Sequence, residues 1–351
     1  MVGLDPTTQS FTTQSLGGRI KCDHGERREV SRMKSERQVP TGGAQTKRRQ
    51  WPDRLAGYAL LSPALLVMAA TLAAPVLALM VLSFWSQSGF DIDRTFTLAN
   101  YWKLIEPSQE PTIWMGIPFH FAYPVFAILM LKSLVMSLVA TIIVILMAYP
   151  MAYFLAFRVT RHKALWIILL TIPFWTSYLL RVFAWKIVLG YNGAINTGLK
   201  SLGIIEAPLE FLLYNPIAVM ITLAHAWIAF TVLPIYVSLE KIDRSLLEAA
   251  TDLGDSRLKR FWRVTLPLSA PGTIAAALLV FIPTVGDYVT PTLVGGPGGT
   301  MIGTLMQELF LRQDNAPLGA ALAIVMMSII AALVALFLWA VGYSKMRERS
   351  R

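Results

Sequence analysis

Long runs without a charged side chain alternate with short polar or basic stretches along this chain of 351 residues. Charge-free intervals cover residues 55–90, 133–157, 164–180, 211–239, 264–286 and 315–344. A helix crossing the hydrocarbon core needs about 20 apolar residues at about 1.5 Å rise each. The pattern therefore predicts an all-α membrane protein with six transmembrane helices. The third interval is the shortest, and its helix is expected to continue past Arg181. Residues 111–131 are also free of charge, but Pro111, Pro118 and Pro124 interrupt them. They are predicted to be an external loop leading into the second span. The expected layout is a tail over 1–54, a first transmembrane helix over 55–85 and a periplasmic loop over 86–131. A five-helix core over 132–342 follows, and then a C-terminal end over 343–351.

Composition supports the membrane class. Hydrophobic residues make up 55% of the chain and charged residues 15%, against about 25% charged in soluble domains. The tail is rich in Gly, Gln, Thr, Ser and Arg, so it is expected to be disordered. Its first 50 residues contain no apolar segment of signal-peptide type, so insertion is expected to be directed by the spans. The single cysteine, Cys22, excludes an intramolecular disulfide.

The net charge of +10 raises nucleic acid as a partner, but the basic residues flank apolar runs. Of the 31 Lys and Arg, the tail holds 11, residues 158–163 three, residues 241–263 six and the C-terminal end four. With the tail inside, all of these are cytoplasmic, as the positive-inside rule requires. Both termini are then cytoplasmic, the bilayer is the partner the charge serves, and no nucleic acid is implied. Trp85, Trp166, Trp175 and Trp339 fall near span ends, as an aromatic belt does.

One cytoplasmic stretch, residues 240–267, is charged and helical in character. Asp243 or Ser245 can cap a helix there, and Glu248 follows Ser245 by three residues, as in a capping box. Leu246, Leu247, Ala250 and Leu253 form an apolar stripe. Gly254 can stop the helix by taking a positive φ. A second amphipathic stretch, "SRLKRFWRV", follows, and Pro267 is expected to close it and start the next span. On periodicity alone, an amphipathic linker resting on lipid headgroups fits as well, with Lys259, Arg260 and Arg263 on anionic lipid.

The order Glu248-Ala249-Ala250, Gly254, Val264, Leu266-Pro267 resembles the EAA signature of bacterial ABC-importer permeases. Val264 stands where the family usually has Ile. The resemblance implies a type I ABC importer permease (MetI-like) core with a cytoplasmic coupling helix, in a bacterial inner membrane. It also implies four kinds of partner. They are a second permease subunit (a non-identical sibling), a dimer of cytoplasmic ATP-binding subunits, a periplasmic solute-binding protein and the bilayer. ATP-Mg would sit on the ATPase and none in this chain, which carries no G-x-x-x-x-G-K-[ST] sequence. Carried over, Leu246, Leu247 and Ala250 would enter a groove of the ATPase, Glu248 would meet a basic residue there, and Gly254 would set the bend.

Further stretches resemble the spermidine/putrescine-type permeases: "FTLANYWKLI", "PFWTSYLLRVFAWKIVLGYNGAINTGL" and "FIPTVGDYVTPTLVGGP". The resemblance implies a polyamine as the solute. Relatives of this pattern also carry opines, other amines and some organic anions. Asp287 is the one acid inside a predicted span, beside Pro283 and Gly286, which suggest a broken helix. It could be the counter-ion for a cationic amine, with Trp175, Tyr178 and Tyr288 as cation–π faces. Alternatively it pairs with Arg181 or Lys186 to fix helix packing, while Trp175 and Tyr178 anchor in the belt. His120, His162 and His225 are isolated, so no metal site is assigned. His225 is expected to hydrogen-bond a neighbouring helix. Glu106/Glu110 and Asp91/Asp93 read as solvated loop acids. An ion-coupled secondary carrier is the alternative from another class, and it would call for charged relays across several spans. A membrane-bound enzyme would need catalytic groups that the chain does not pair.

Overall fold

A computed structural model describes residues 53–349, apart from residues 90, 107–111, 115–116 and 120–124. The predicted tail over 1–54, as well as Glu110 and His120, thus lies wholly or almost wholly outside the described residues. The chain divides into two compact units, Met1–Leu66 and Val67–Arg351. The described part of the first is the beginning of α1, and every later element belongs to the second.

Thirteen helices and two short hairpins are described. In chain order they are α1 (Asp53–Ser83), β1 (Ser86–Ser88), β2 (Asp91–Asp93), α2 (Ala99–Lys103), β3 (Thr112–Trp114), β4 (Ile117–Phe119) and α3 (Val125–Phe157). Next come α4 (Lys163–Thr171), α5 (Tyr178–Leu189), α6 (Ala194–Ser201), α7 (Pro216–Glu240), α8 (Arg244–Asp252) and α9 (Arg257–Arg260). The last are α10 (Leu266–Val285), α11 (Gly296–Gly299), α12 (Ile302–Leu311) and α13 (Ala316–Arg349). Each hairpin pairs antiparallel, β1 with β2 and β3 with β4.

Among the described residues, five helices are long and apolar enough to cross a membrane: Leu61–Ser83, Val125–Phe157, Pro216–Glu240, Arg257–Val285 and Ala316–Val341. A sixth crossing is available as a bent pair, Lys163–Trp175 with Tyr178–Ser201, which turns by 82° at its break. The expected count of six is thus met only if that pair is one span. The second span starts earlier than predicted. α3 begins at Val125, inside the interval read as external loop, and it carries Lys132 as a buried residue. The charge that marked the interval's edge is enclosed by the bundle, so a charge count placed the start eight residues late.

The centre of the second unit is the packing of α3, α7 and α10. Ala148, Ala152 and Ala156 of α3 meet Val232, Ile235 and Leu239 of α7, with Ala276 of α10. Small side chains let helices approach closely where lipid supplies no hydrophobic contrast. A Cβ on Gly272 of α10 would overlap the Ser238 side chain and the Pro234 carbonyl of α7. Tyr149 and Ser269 hydrogen-bond at 2.7 Å across this contact. Asn215 caps α7, its side-chain oxygen accepting from the Ile217 and Ala218 N–H groups, with Pro216 at the first helical position. Large apolar residues such as Leu138, Ile142 and Leu146 of α3 remain outward and exposed, as a lipid-facing side requires.

The first hairpin and α2 tie the end of α1 to α13. The Asn100 amide donates to the Ser83 and Trp85 carbonyls at 2.9 and 2.7 Å. Gln87 accepts from the Ala316 N–H at 3.0 Å.

α10 ends where α12 supports the chain. A Cβ on Gly303 of α12 would lie 2.5 Å from the Gly286 carbonyl oxygen and 2.7 Å from that of Asp287. Gly303→Ala is therefore expected to destabilise the protein by about 1–3 kcal/mol, read as a lower melting temperature in detergent. Gly198→Ala, in α6 with nothing within 4 Å of the new Cβ, is expected to be neutral or to stabilise by up to about 1 kcal/mol. Equal melting temperatures for the two variants would contradict this close support.

Candidate functional site

Two regions gather the residues singled out in the sequence. The first is the loop between α7 and α10. Asp243 caps α8 by accepting the Ser245 N–H at 3.0 Å. Ser245 lies within the helix, so the capping box through Glu248 does not form. α8 stops at Gly254, where φ is +83° and nothing lies within 4 Å of a Cβ. Ser256 then caps α9. The helical path continues without a break through a π-turn over Phe261–Thr265 into α10. Pro267 is thus in the first turn of α10 and does not close the preceding stretch. Having no N–H, it removes one bond from that continuous path, directly after the π-turn where the bonding already departs from α-helical spacing.

The apolar stripe of α8 is divided. Ala250 is buried, and Leu247 is half-buried against the α3–α7 core, but Leu246 and Leu253 are exposed, the latter 86%; only Leu247 of the four packs on that core. Glu248 and Ala249 are exposed beside them. Val264 and Leu266 are half-buried, and Pro267 is exposed. The helix therefore grips its own bundle with one edge and leaves the other edge free.

Charges brace this loop. Asp255 accepts from Lys259 at 3.0 Å and Arg263 at 3.3 Å, and Arg260 donates to the Thr251 hydroxyl at 2.7 Å. The Lys259 ammonium holds the Asp255 carboxyl below the usual carboxylate range; partial burial opposes this and Arg263 adds to it. The Ser245 N–H does the same for Asp243.

The second region is a cavity of about 540 Å³ in which α5, α7 and the end of α10 meet. Tyr178 and Arg181 of α5, Trp227 and Phe230 of α7, and Asp287 and Tyr288 after α10 line it. Two helix breaks open onto it. The chain leaves α4 through a 3-10 turn, Ile172–Trp175, and becomes extended at Thr176. α10 ends at Val285, so Asp287 lies just past that helix and not within it.

Both Asp287 oxygens are engaged. Oδ1 accepts the Val289 N–H at 2.9 Å, and Oδ2 accepts the Tyr178 hydroxyl at 2.6 Å. The phenol's one proton is thereby committed, so Thr290 donates to the phenol oxygen at 2.7 Å. Arg181 donates to the Ala226 carbonyl at 2.8 Å and lies over the Phe174 and Tyr178 rings, 5.2 and 5.9 Å from their centroids. Among the described residues, no ion pair within 4 Å involves Asp287 or Arg181. The expected pairing of Asp287 with Arg181 or Lys186 is absent; Tyr178 contacts both Asp287 and Arg181 instead.

The structure brings Tyr178, Asp287 and Tyr288 together at this cavity. Trp175 is 87% exposed and stands outside it, and Phe174 takes the wall position. Trp227 and Phe230 were not among the candidates, and Arg181 entered only as a packing partner of Asp287. The signal available was Trp227 and Phe230 three residues apart in a helix, which puts them on one face. The Arg181 Nε and Trp227 Nε1 are buried without a hydrogen-bond partner. His225 makes an edge-to-face contact with Trp185 at 5.4 Å instead of the expected hydrogen bond. Among the described residues, no three His, Cys, Asp or Glu cluster as a metal site would require.

Comparison with known proteins agrees with this architecture. The family described as binding-protein-dependent transport system inner membrane component matches residues 58–348. The spermidine/putrescine transport system permease protein PotB of Escherichia coli K12 is 36% identical over 248 residues, covering 71% of this chain and 83% of that protein. PotB of Haemophilus influenzae is 35% identical, covering 74% and 85%. A crystal structure of a bacterial alginate ABC transporter, in complex with an alginate pentasaccharide-bound periplasmic protein, superposes with a TM-score of 0.59. That match covers 82% of this chain and 95% of that one at 16% identity, a likeness of fold. The chain belongs to the binding-protein-dependent permeases, multi-pass transport proteins of the inner membrane and not enzymes.

The Asp255 bracket yields a pH prediction. Its folded-state carboxyl value is lowered, so its contribution is present above the ordinary carboxylate value of about 3.9 and is lost as pH falls through the lowered value. Asp255→Asn is expected to speed amide exchange over residues 256–260 at pH 7. The native loop should show similar corrected rates only once the pH falls below the carboxylate range. Unchanged exchange in the variant would mean that the two bases do not hold the loop.

Proposed function

We propose that this chain is one membrane half of an ATP-driven ABC importer that carries a polyamine of the spermidine or putrescine type inward. The observation that carries this reading is the cavity. It offers one carboxylate, Asp287, amid the aromatic faces of Tyr178, Trp227, Phe230 and Tyr288. A carboxylate with π faces suits an alkylammonium, which gains from both charge and ring quadrupole. The names and identities of the PotB relatives point the same way.

In this reading the chain burns no ATP. A dimer of cytoplasmic ATPase subunits hydrolyses ATP-Mg, a sibling permease forms the other half of the path, and a periplasmic binding protein delivers the solute. Both termini and α8 lie in the cytoplasm, in keeping with the concentration of Lys and Arg there. Leu246 and Leu253 are the apolar groups offered to the ATPase, with Glu248 available for a basic partner. Leu247 works from the other edge, passing the motion of α8 into the α3–α7 core on which it packs.

A second reading has one observation in its favour. Arg181 lines the same cavity as Asp287, so a solute bearing both an amine and a carboxylate, such as an opine, would find a partner for each.

Two substitutions test these assignments in cells expressing the complete importer. Gly254→Trp adds bulk where the chain's own atoms leave space, at a backbone cost of about 1–2 kcal/mol. It is expected to leave membrane insertion intact and to abolish uptake, whereas normal uptake would remove the docking role. Asp287→Asn is expected to lower uptake of labelled putrescine about tenfold, the scale of one charge-assisted contact. An unchanged rate would make Asp287 a structural turn residue.

A further inference from the structure

The cavity wall contains one acid and one guanidinium that do not meet. Where an arginine and a carboxylate can reach each other away from bulk water, they form a short, charge-assisted, often bidentate pair. Here a single side chain lies between them. Tyr178 places its ring beneath the Arg181 guanidinium and its hydroxyl on Asp287. The two residues are three apart on α5, so they share a face of that helix. Thr290 fixes the phenol from the other side, and the Ala226 carbonyl and the Phe174 ring hold Arg181 back.

We propose that Tyr178 is a spacer that keeps Asp287 available to a cationic solute by withholding it from Arg181. The inference rests on the polyamine reading of the cavity. Arg181 is a built-in competitor, a tethered cation one ring away from the carboxylate an incoming ammonium must use. With the hydroxyl in place, Asp287 is turned by the phenol and by the Val289 N–H and stays out of reach of the guanidinium. Without it, only the Val289 N–H directs the carboxylate, which is then free to swing to Arg181 and be neutralised there. The role is one of positioning. Tyr178 acts on transport through the charge it keeps apart.

The test is a charge-dependent rescue. Labelled putrescine uptake is measured at saturating solute in cells carrying the complete importer, with the membrane level of each variant checked by immunoblot. Tyr178→Phe is expected to lower the rate about tenfold, as loss of one charged contact does. Arg181→Gln alone sets the reference rate, and Tyr178→Phe/Arg181→Gln is expected to return to within about twofold of that reference. Tyr178→Phe/Arg181→Lys, which keeps the competing charge, is expected to remain impaired. A merely structural tyrosine would give a defect that neither second substitution cures.

A native rate in Tyr178→Phe, no rescue by Arg181→Gln, or equal rescue by Arg181→Lys would each overturn the spacer role. If Tyr178→Phe does not reach the membrane, Tyr178→Met, which also removes the hydroxyl from Asp287 and leaves both charges, takes its place. A loss cured by Arg181→Gln then supports the role, and no loss or no cure overturns it. Asp287→Asn in the same assay separates the two levels. A native rate in that variant defeats the polyamine reading itself, whereas a loss there with a native rate in Tyr178→Phe defeats the spacer alone.

Discussion

Inside a bilayer there is no water to satisfy an open backbone, so a helix can be broken only where protein or a wet cavity takes over its hydrogen bonds. This constraint organises the bundle. The breaks after Trp175 and after Val285 lie in different parts of the chain, yet both open onto one cavity. At each break a side chain makes up for lost backbone bonds. Thr176 donates to the Pro173 carbonyl, and Asp287 accepts the Val289 N–H. The residue that terminates a membrane helix is thereby the residue that brings a charge to the cavity. Gly303, pressed against the carbonyls of Gly286 and Asp287, sets how far that terminus can move.

The cytoplasmic loop has a different logic. α8 is short and would be marginal alone. It persists because Asp243 caps it, because Gly254 turns the chain at positive φ, and because Leu247 packs on the α3–α7 core while Ala250 is buried. Asp255, Lys259, Arg260 and Arg263 then fasten the turn to the base of α10. Because the path from α9 into α10 is helical throughout, a push on α8 would, in the importer reading, have a continuous route into the following span. That is the mechanical property the importer reading needs from a subunit without an ATP site of its own.

Much of this was legible in the sequence, for identifiable reasons. Helices such as α7 and α13 span uncharged runs, and charge is what a membrane excludes, so the runs mark them. Asp243 and Gly254 declare themselves because capping and positive φ are local demands. Lys132 misled, because a buried lysine inside α3 reads in one dimension like the end of a span. The division of the α8 stripe was hidden, since periodicity shows that Leu246, Leu247, Ala250 and Leu253 are apolar and not which edge the bundle covers. The relation of Tyr178, Arg181 and Asp287 was hidden for a similar reason. Tyr178 and Asp287 are 109 residues apart, and only the packing of α5 against the end of α10 shows that a phenol stands where an ion pair was expected.

The central claim is that the transport path in this chain is driven from outside it. The most direct measurement is solute accumulation in vesicles containing the chain and its sibling permease, with liganded binding protein supplied on one side. Putrescine should accumulate only when the ATPase subunits and ATP-Mg are present on the other side, and an imposed proton or sodium gradient alone should give none. Accumulation driven by such a gradient in the absence of the ATPase would contradict the account.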